Sequence, residues 1–176
     1  MLKGIIFDMD GVLINSEPFH YQVWKEALKK RGITLDYEIY KPCIGSTVQV
    51  LMQILHEHYG VDEKDDSLPL EVKSLKQEMI EKQGYPPLIP YVKDMLERFH
   101  EAGYQMAVAS SSPQAYIENV TSYWDISPYF QVLVSGEHVE HPKPAPDIFL
   151  KTADILGLLP EECLVIEDSE NGCRAA

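Results

Sequence analysis

Four short runs of apolar residues punctuate the chain, at 4–7 (GIIF), 106–109 (MAVA), 132–134 (VLV) and 164–166 (LVI). They are continuous rather than alternating, which suits strands buried on both faces. Between the later runs, apolar residues recur at helical spacing. Val92, Met95, Leu96 and Phe99 predict a helix over 91–102 that stops at Gly103. Residues 114–124 and 147–156 predict two more, each beginning just after a proline, Pro113 and Pro146. Strands alternating with helices predict a parallel α/β sheet.

The stretch from 15 to 86 carries no strand signal. It predicts helices over 17–31, ending at Gly32; over 47–59, with Ser46 as N-cap and Gly60 as stop; and over 69–83, opening on Pro69 and ending before Gly84. Three helices are too many for one crossover. The expected organisation is a helical insert, 15–86, over the strand ends of a core formed by 1–14 and 87–176. Pro86, Pro87 and Pro90 mark the return to that core. The acidic run 62–66 reads as a solvated loop.

Composition narrows the function classes. Hydrophobic residues make up 45% and charged residues 24%, as in ordinary globular domains. The formal charge of −13 argues against a nucleic-acid partner, because a polyanion would meet a repulsive field with no basic face. A small phosphorylated metabolite is repelled too, so such a substrate needs a local cation. Cys43, Cys163 and Cys173 form neither a disulfide framework nor a zinc spacing, and read as thiols of a reducing compartment. No run reaches the ~18 apolar residues of a membrane helix, and one lysine before the first run does not make a signal peptide. A cytoplasmic location and no membrane partner are expected.

The chemistry-bearing residues fall just after the predicted strands. Asp8 and Asp10 follow the first (FDMDGV), Ser110 the second (VASSS), Lys143 the third (HPKPAPD), and Glu167 and Asp168 the fourth (IEDS). In an open parallel sheet that edge binds ligands. Packed carboxylates raise one another's pKa values unless a cation joins them, and an all-oxygen set suits Mg²⁺. The metal and Lys143 would supply positive charge for a phosphoryl group. A carboxylate can attack phosphorus, and a second one two residues on can protonate the leaving oxygen. Gly11 permits a sharp turn that aims backbone amides at a phosphate.

Each residue also has a plainer role open to it. Asp8 and Asp10 could begin an EF-hand loop, although Gly11 comes too early for one. Ser110 with Ser111 and Ser112 could be only a polar turn before Pro113, Lys143 a solvated loop lysine, and Asp168 the N-cap of a helix from Glu170. The histidine pairs His138/His141, which share a loop, and His56/His58, near a helix end, are not expected to bind metal.

DMDGV, the serine after a hydrophobic strand, KPAPDIF and the ED pair, in that order, resemble the four motifs of the haloacid-dehalogenase superfamily, and the insert resembles the cap of its β-phosphoglucomutase-like branch. The resemblance spans essentially the whole chain. It implies a Rossmann-like parallel sheet core with an inserted α-helical cap. It further implies Asp8 as nucleophile, Asp10 as general acid/base, Ser110 as phosphate donor and Lys143 as charge stabiliser. Mg²⁺ would be held by the Asp8 carboxylate, the Asp10 carbonyl and Asp168, with Glu167 in support.

His20 and Trp24 share one face of the first insert helix and are candidate substrate contacts with Ser111; packing is the alternative for Trp24. β-Phosphoglucomutase carries a His and a Trp at this spacing. It also carries an Arg after the second cap glycine and a Lys-Asn pair after the second motif, where this chain has Gly45-Ser-Thr-Val-Gln and Pro113-Gln114. A mutase must hold both ends of a bisphosphate, so the pattern favours a sugar-phosphate phosphatase, with the mutase and a non-catalytic phosphate-binding relative as alternatives.

Ala176 falls eight residues after Asp168, inside the opening of a helix with no stop signal. The superfamily core normally continues to one more strand. The expectation is therefore that the C-terminal part of the core is missing, that 164–166 forms a bare edge prone to pairing into a dimer, and that a longer natural form is a monomer.

Overall fold

The computed structural model describes residues 1–44, 47–62, 64 and 66–176. The chain divides into two compact units, Met1–Asn15 with Pro87–Ala176, and Ser16–Pro86.

The first unit holds a four-stranded parallel sheet of β1 (Gly4–Phe7), β2 (Gln105–Ser110), β3 (Val132–Ser135) and β4 (Cys163–Ile166), in the order β3-β2-β1-β4. The apolar runs become these strands, with β2 and β3 each ending on a serine, Ser110 and Ser135, beyond the apolar stretch. Side chains alternate between two covered faces. On one, Ile6, Ala107, Ala109 and Val134 pack with Ile148, Phe149, Ala153 and Leu156 of a helix. On the other, the Phe7 ring meets Phe99 and Phe130 at centroid distances of 6.3 and 6.0 Å.

The second unit is helical: α1 (Glu17–Lys29), α2 (Tyr37–Tyr40), α3 (Val48–Tyr59) and α4 (Ser67–Gln83). Trp24, Leu28, Leu51, Leu55 and Leu68 form its own core. α2 and the 3₁₀ turn Lys41–Cys43 were not expected; Asp36 caps α2, its carboxylate accepting from the Glu38 N–H at 2.9 Å. The expected cap Ser46 lies outside the described residues, as do Gly45 and two members of the acidic run, Glu63 and Asp65. Thr47 caps α3 instead, its Oγ1 accepting from Val50 N at 3.5 Å. α4 begins two residues before Pro69, which is tolerated in a first turn where the missing N–H has no partner to lose.

The sheet helices are α5 (Val92–Glu101), α6 (Gln114–Tyr123), α7 (Asp147–Leu156) and the short α8 (Glu170–Ala175). The segments leaving and re-entering the sheet unit are tied together by Ile89 N→Leu13 O at 3.0 Å and Asn15 N→Pro87 O at 2.8 Å. β4 pairs with β1, and its Leu164 is 44% exposed. Among the described residues no helix is long and apolar enough to cross a membrane.

Candidate active site

Strand order decides where the carboxylates meet. From β1 the sheet grows one way through β2 to β3 and the other way to β4, so the order in which successive strands are laid down reverses between β1 and β4 while all four stay parallel. Crevices for ligands open at such a reversal, beyond the carboxyl ends of the strands. Phe7 is level with Ile166, and Asp8 N donates to Ile166 O at 2.9 Å, which sets Asp8 beside Glu167.

Lys143 reaches in from the loop before α7. Its Nζ lies 2.6 Å from Asp8 Oδ1, 2.7 Å from Glu167 Oε1 and 3.2 Å from Ala109 O, so all three ammonium protons have acceptors. Its side chain is 6% exposed and stands over the Phe149 ring, 4.8 Å from the centroid. A solvated loop lysine is thereby excluded.

Glu167 is held on both oxygens: Lys143 takes Oε1, while Ser169 N and Oγ donate to Oε2 at 2.8 and 3.0 Å. Burial alone would raise its pKa, but the Lys143 and Ser169 hydrogen bonds outweigh it and hold the carboxyl below the usual range. Asp8 shows the opposite balance. Burial, which Lys143 only partly offsets and which Glu167 and Asp10 reinforce, pushes its pKa up to about 7. Asp168 is exposed, with its carboxyl against Gly11; partial desolvation and the nearby Glu167 and Asp10 charges raise its pKa. It does not cap α8. Ser169 does, its Oγ accepting from Gly172 N at 3.0 Å.

Two glycines make room for these carboxylates. At Gly11, with φ +81°, a Cβ would collide with the Asp168 carboxylate, and at Gly172 one would collide with that of Glu167.

The serine run resolves into three different positions. Ser110 is buried and its Oγ accepts from Ser112 N at 3.1 Å, which leaves its O–H able to donate. Ser111 is exposed. Ser112, expected only as part of a polar turn, places its Oγ 2.8 Å from Asp10 Oδ2. The run of three hydroxyls was the available signal, but not which of them turns inward.

His20 and Trp24 belong to α1 of the helical unit. With Glu17, Tyr40, Cys43 and Thr47 they line a cavity of about 190 Å³ within that unit. Trp24 is also part of the unit's core, at 7% exposure. Burial and the Glu17 carboxylate push the Tyr40 hydroxyl and the Cys43 thiol up from their ordinary pKa values.

Among the described residues no three His, Cys, Asp or Glu side chains already converge as a metal cage. The chemistry of the donors nonetheless fits a hard divalent cation. Asp8 and Asp168 are both destabilised as anions, and a main-chain carbonyl at Asp10 would complete a set that retains waters, as Mg²⁺ does.

The family model for haloacid dehalogenase-like hydrolases matches residues 5–176. Fructose-1-phosphate phosphatase YqaB of Escherichia coli is 33% identical over 174 residues, 98% of this chain and 90% of the relative. A phosphorylated carbohydrates phosphatase of Thermotoga maritima is 30% identical over 178 residues, 99% of this chain and 80% of the relative. Among solved structures, CbbY of Rhodobacter sphaeroides in complex with phosphate superposes with a TM-score of 0.79 at 26% identity, covering 99% of this chain and 81% of that one.

Proposed function

The chain belongs to the haloacid dehalogenase-like hydrolases, and within that family we propose that it is a Mg²⁺-dependent phosphatase of small phosphorylated metabolites, sugar phosphates foremost. Members of the family typically use Mg²⁺. The observation that carries the reading is the Asp8–Lys143–Glu167 cluster at the sheet reversal, with Asp10 two residues from Asp8. The names of the two phosphatase relatives support the substrate class.

In this mechanism an Asp8 oxygen bonds to phosphorus as the ester P–O bond breaks, and Asp10 gives its proton to the departing alkoxide. The aspartyl-phosphate on Asp8 is then hydrolysed. Asp10 takes a proton from water, the water oxygen bonds to phosphorus, and the Asp8–phosphate bond breaks to release phosphate. Lys143 favours the ionised form of Asp8 and aims it, and its charge faces the phosphoryl oxygens. Glu167, occupied by Lys143 and Ser169, orients that lysine. Asp8, the Asp10 carbonyl and Asp168 would hold Mg²⁺, which when bound supplies charge for the transferring phosphoryl group. Ser110 would donate to a phosphoryl oxygen, and Ser111 is a further candidate contact.

The test is a screen of sugar phosphates with Mg²⁺ and with EDTA, scored for released phosphate and for isomerised sugar phosphate. Metal-dependent phosphate release is the expected result. Isomerisation without release would replace the phosphatase by the mutase, and neither activity would leave a phosphate-binding protein.

A further inference from the structure

We propose that Ser112 is a positioning residue that fixes which oxygen of Asp10 transfers the proton; this rests on the phosphatase reading above. Ser112 Oγ lies 2.8 Å from Asp10 Oδ2, across 102 residues of sequence. The other oxygen, Oδ1, is buried and meets no hydrogen-bond partner among the described residues. A buried carboxylate oxygen without a partner is costly, and in a native site that cost calls for a purpose. A hydroxyl donating to Oδ2 makes that atom the acceptor of the neutral acid, so the acidic proton sits on Oδ1. One oxygen is tethered and the other carries the proton.

The tether is itself anchored. Ser112 N donates to Ser110 Oγ at 3.1 Å, and Ser112 O accepts from the fully buried Ser135 Oγ at 2.7 Å. Ser135 Oγ in turn accepts from Glu137 N at 3.1 Å. Gly136 lets the 110–112 turn lie close against the end of β3, since a Cβ there would stand 3.2 Å from Ser111 Cα. The turn is therefore clamped at both ends to β2 and β3, and the Ser112 hydroxyl is presented to Asp10 from rigid elements rather than from a mobile loop.

The step served is the proton half of each transfer. With an alkyl ester such as a sugar phosphate, the leaving alkoxide needs the Asp10 proton as the P–O bond breaks. With p-nitrophenyl phosphate the phenolate leaves without one. Hydrolysis of the Asp8-phosphate needs Asp10 to take a proton from water in both cases.

The experiment is rapid-quench kinetics on the Mg²⁺-loaded wild type, Ser112→Ala and Ser112→Thr, with p-nitrophenyl phosphate and with fructose 1-phosphate. For Ser112→Ala, phosphorylation of Asp8 by the aryl ester should stay within about twofold of wild type. Phosphorylation by the sugar phosphate and decay of the phosphoenzyme should each slow about tenfold or more, the lower end of what a well-placed acid/base contributes. Ser112→Thr, which keeps the hydroxyl, should restore both slowed steps. Equal slowing with both esters would make Ser112 merely structural, and unchanged rates would remove its role; either overturns the proposal alone. A wild type that forms no phosphoenzyme with either ester would overturn the phosphatase reading and this proposal with it.

Discussion

Lys143 Nζ lies 2.6 Å from Asp8 Oδ1 and 2.7 Å from Glu167 Oε1, so a single ammonium separates two carboxylates that are 9% and 4% exposed. Lys143→Met would keep most of the stem on Phe149 and remove the charge. Breaking a buried pair on one side costs about 3–5 kcal/mol, because the remaining charge is uncompensated. We expect a loss of that order in urea unfolding at pH 7.5 and a smaller one at pH 4.5, where Asp8 is protonated. Turnover of p-nitrophenyl phosphate should fall at least 100-fold, on the scale of a lost electrostatic stabiliser.

The pKa of Asp8 gives stability a pH slope. Its folded value of about 7 lies above the ordinary 3.8, so the native state binds this proton more tightly than the unfolded chain does. The stability Asp8 contributes is present below about pH 4 and is lost as pH rises through about 7. In EDTA, the urea midpoint of the wild type should fall between pH 5 and 8, and Asp8→Asn should flatten that fall. Saturating Mg²⁺ should restore the wild-type midpoint at pH 8, since the cation favours the ionised form. An Asp8→Asn slope equal to that of the wild type would contradict the assignment.

Gly172 sits in α8, where alanine would ordinarily stabilise a helix interior by about 1 kcal/mol. Here the added methyl would strike the Glu167 carboxylate. Gly172→Ala should therefore destabilise the protein and, by displacing Glu167 from Lys143, reduce turnover about tenfold or more. The check is to measure urea midpoint and kcat together; a stabilised, fully active variant would show that Glu167 is free to move.

Much of the sheet was legible because strands buried on both faces announce themselves as unbroken apolar runs, and because the residue following such a run is automatically at the sheet's carboxyl edge. That is why Asp8 and Glu167 could be named from the sequence alone, whereas Lys143 lies well past the end of β3 and was marked by its loop, HPKPAPD. Their proximity needed the strand order, which places β4 beside β1. α2 escaped because four residues, YEIY, are too few for a helical period to register, although Asp36 in front of them was a capping signal. Asp168 as a helix cap gave way to Ser169, whose shorter side chain accepts from Gly172 N while the Asp168 carboxyl lies against Gly11. Ser112 could not be told from Ser110 and Ser111, because which hydroxyl faces Asp10 depends on how the turn seats against Ser135 and Gly136.

Tyr91 was expected as the first residue of α5. It lies instead just before it, at φ 68° and ψ 6°, with its side chain 81% exposed and no capping hydrogen bond. A left-handed non-glycine residue costs about 1–2 kcal/mol, and glycine returns part of that gain as unfolded-state entropy. Tyr91→Gly should raise stability by about 0.5–1 kcal/mol in urea and leave phosphatase kcat unchanged.

The identity of the nucleophile is the central claim. The most direct measurement is acid-quench trapping of the protein after mixing with Mg²⁺ and a ³²P-labelled sugar phosphate, followed by peptide mapping, for wild type and Asp8→Asn. The account predicts a hydroxylamine-labile phosphate on the peptide containing Asp8 in the wild type. It predicts no such label and no detectable turnover in Asp8→Asn, with Asp8→Asn still folded by circular dichroism. Label on any other residue, or appreciable turnover by Asp8→Asn freed of contaminating phosphatases, would contradict it.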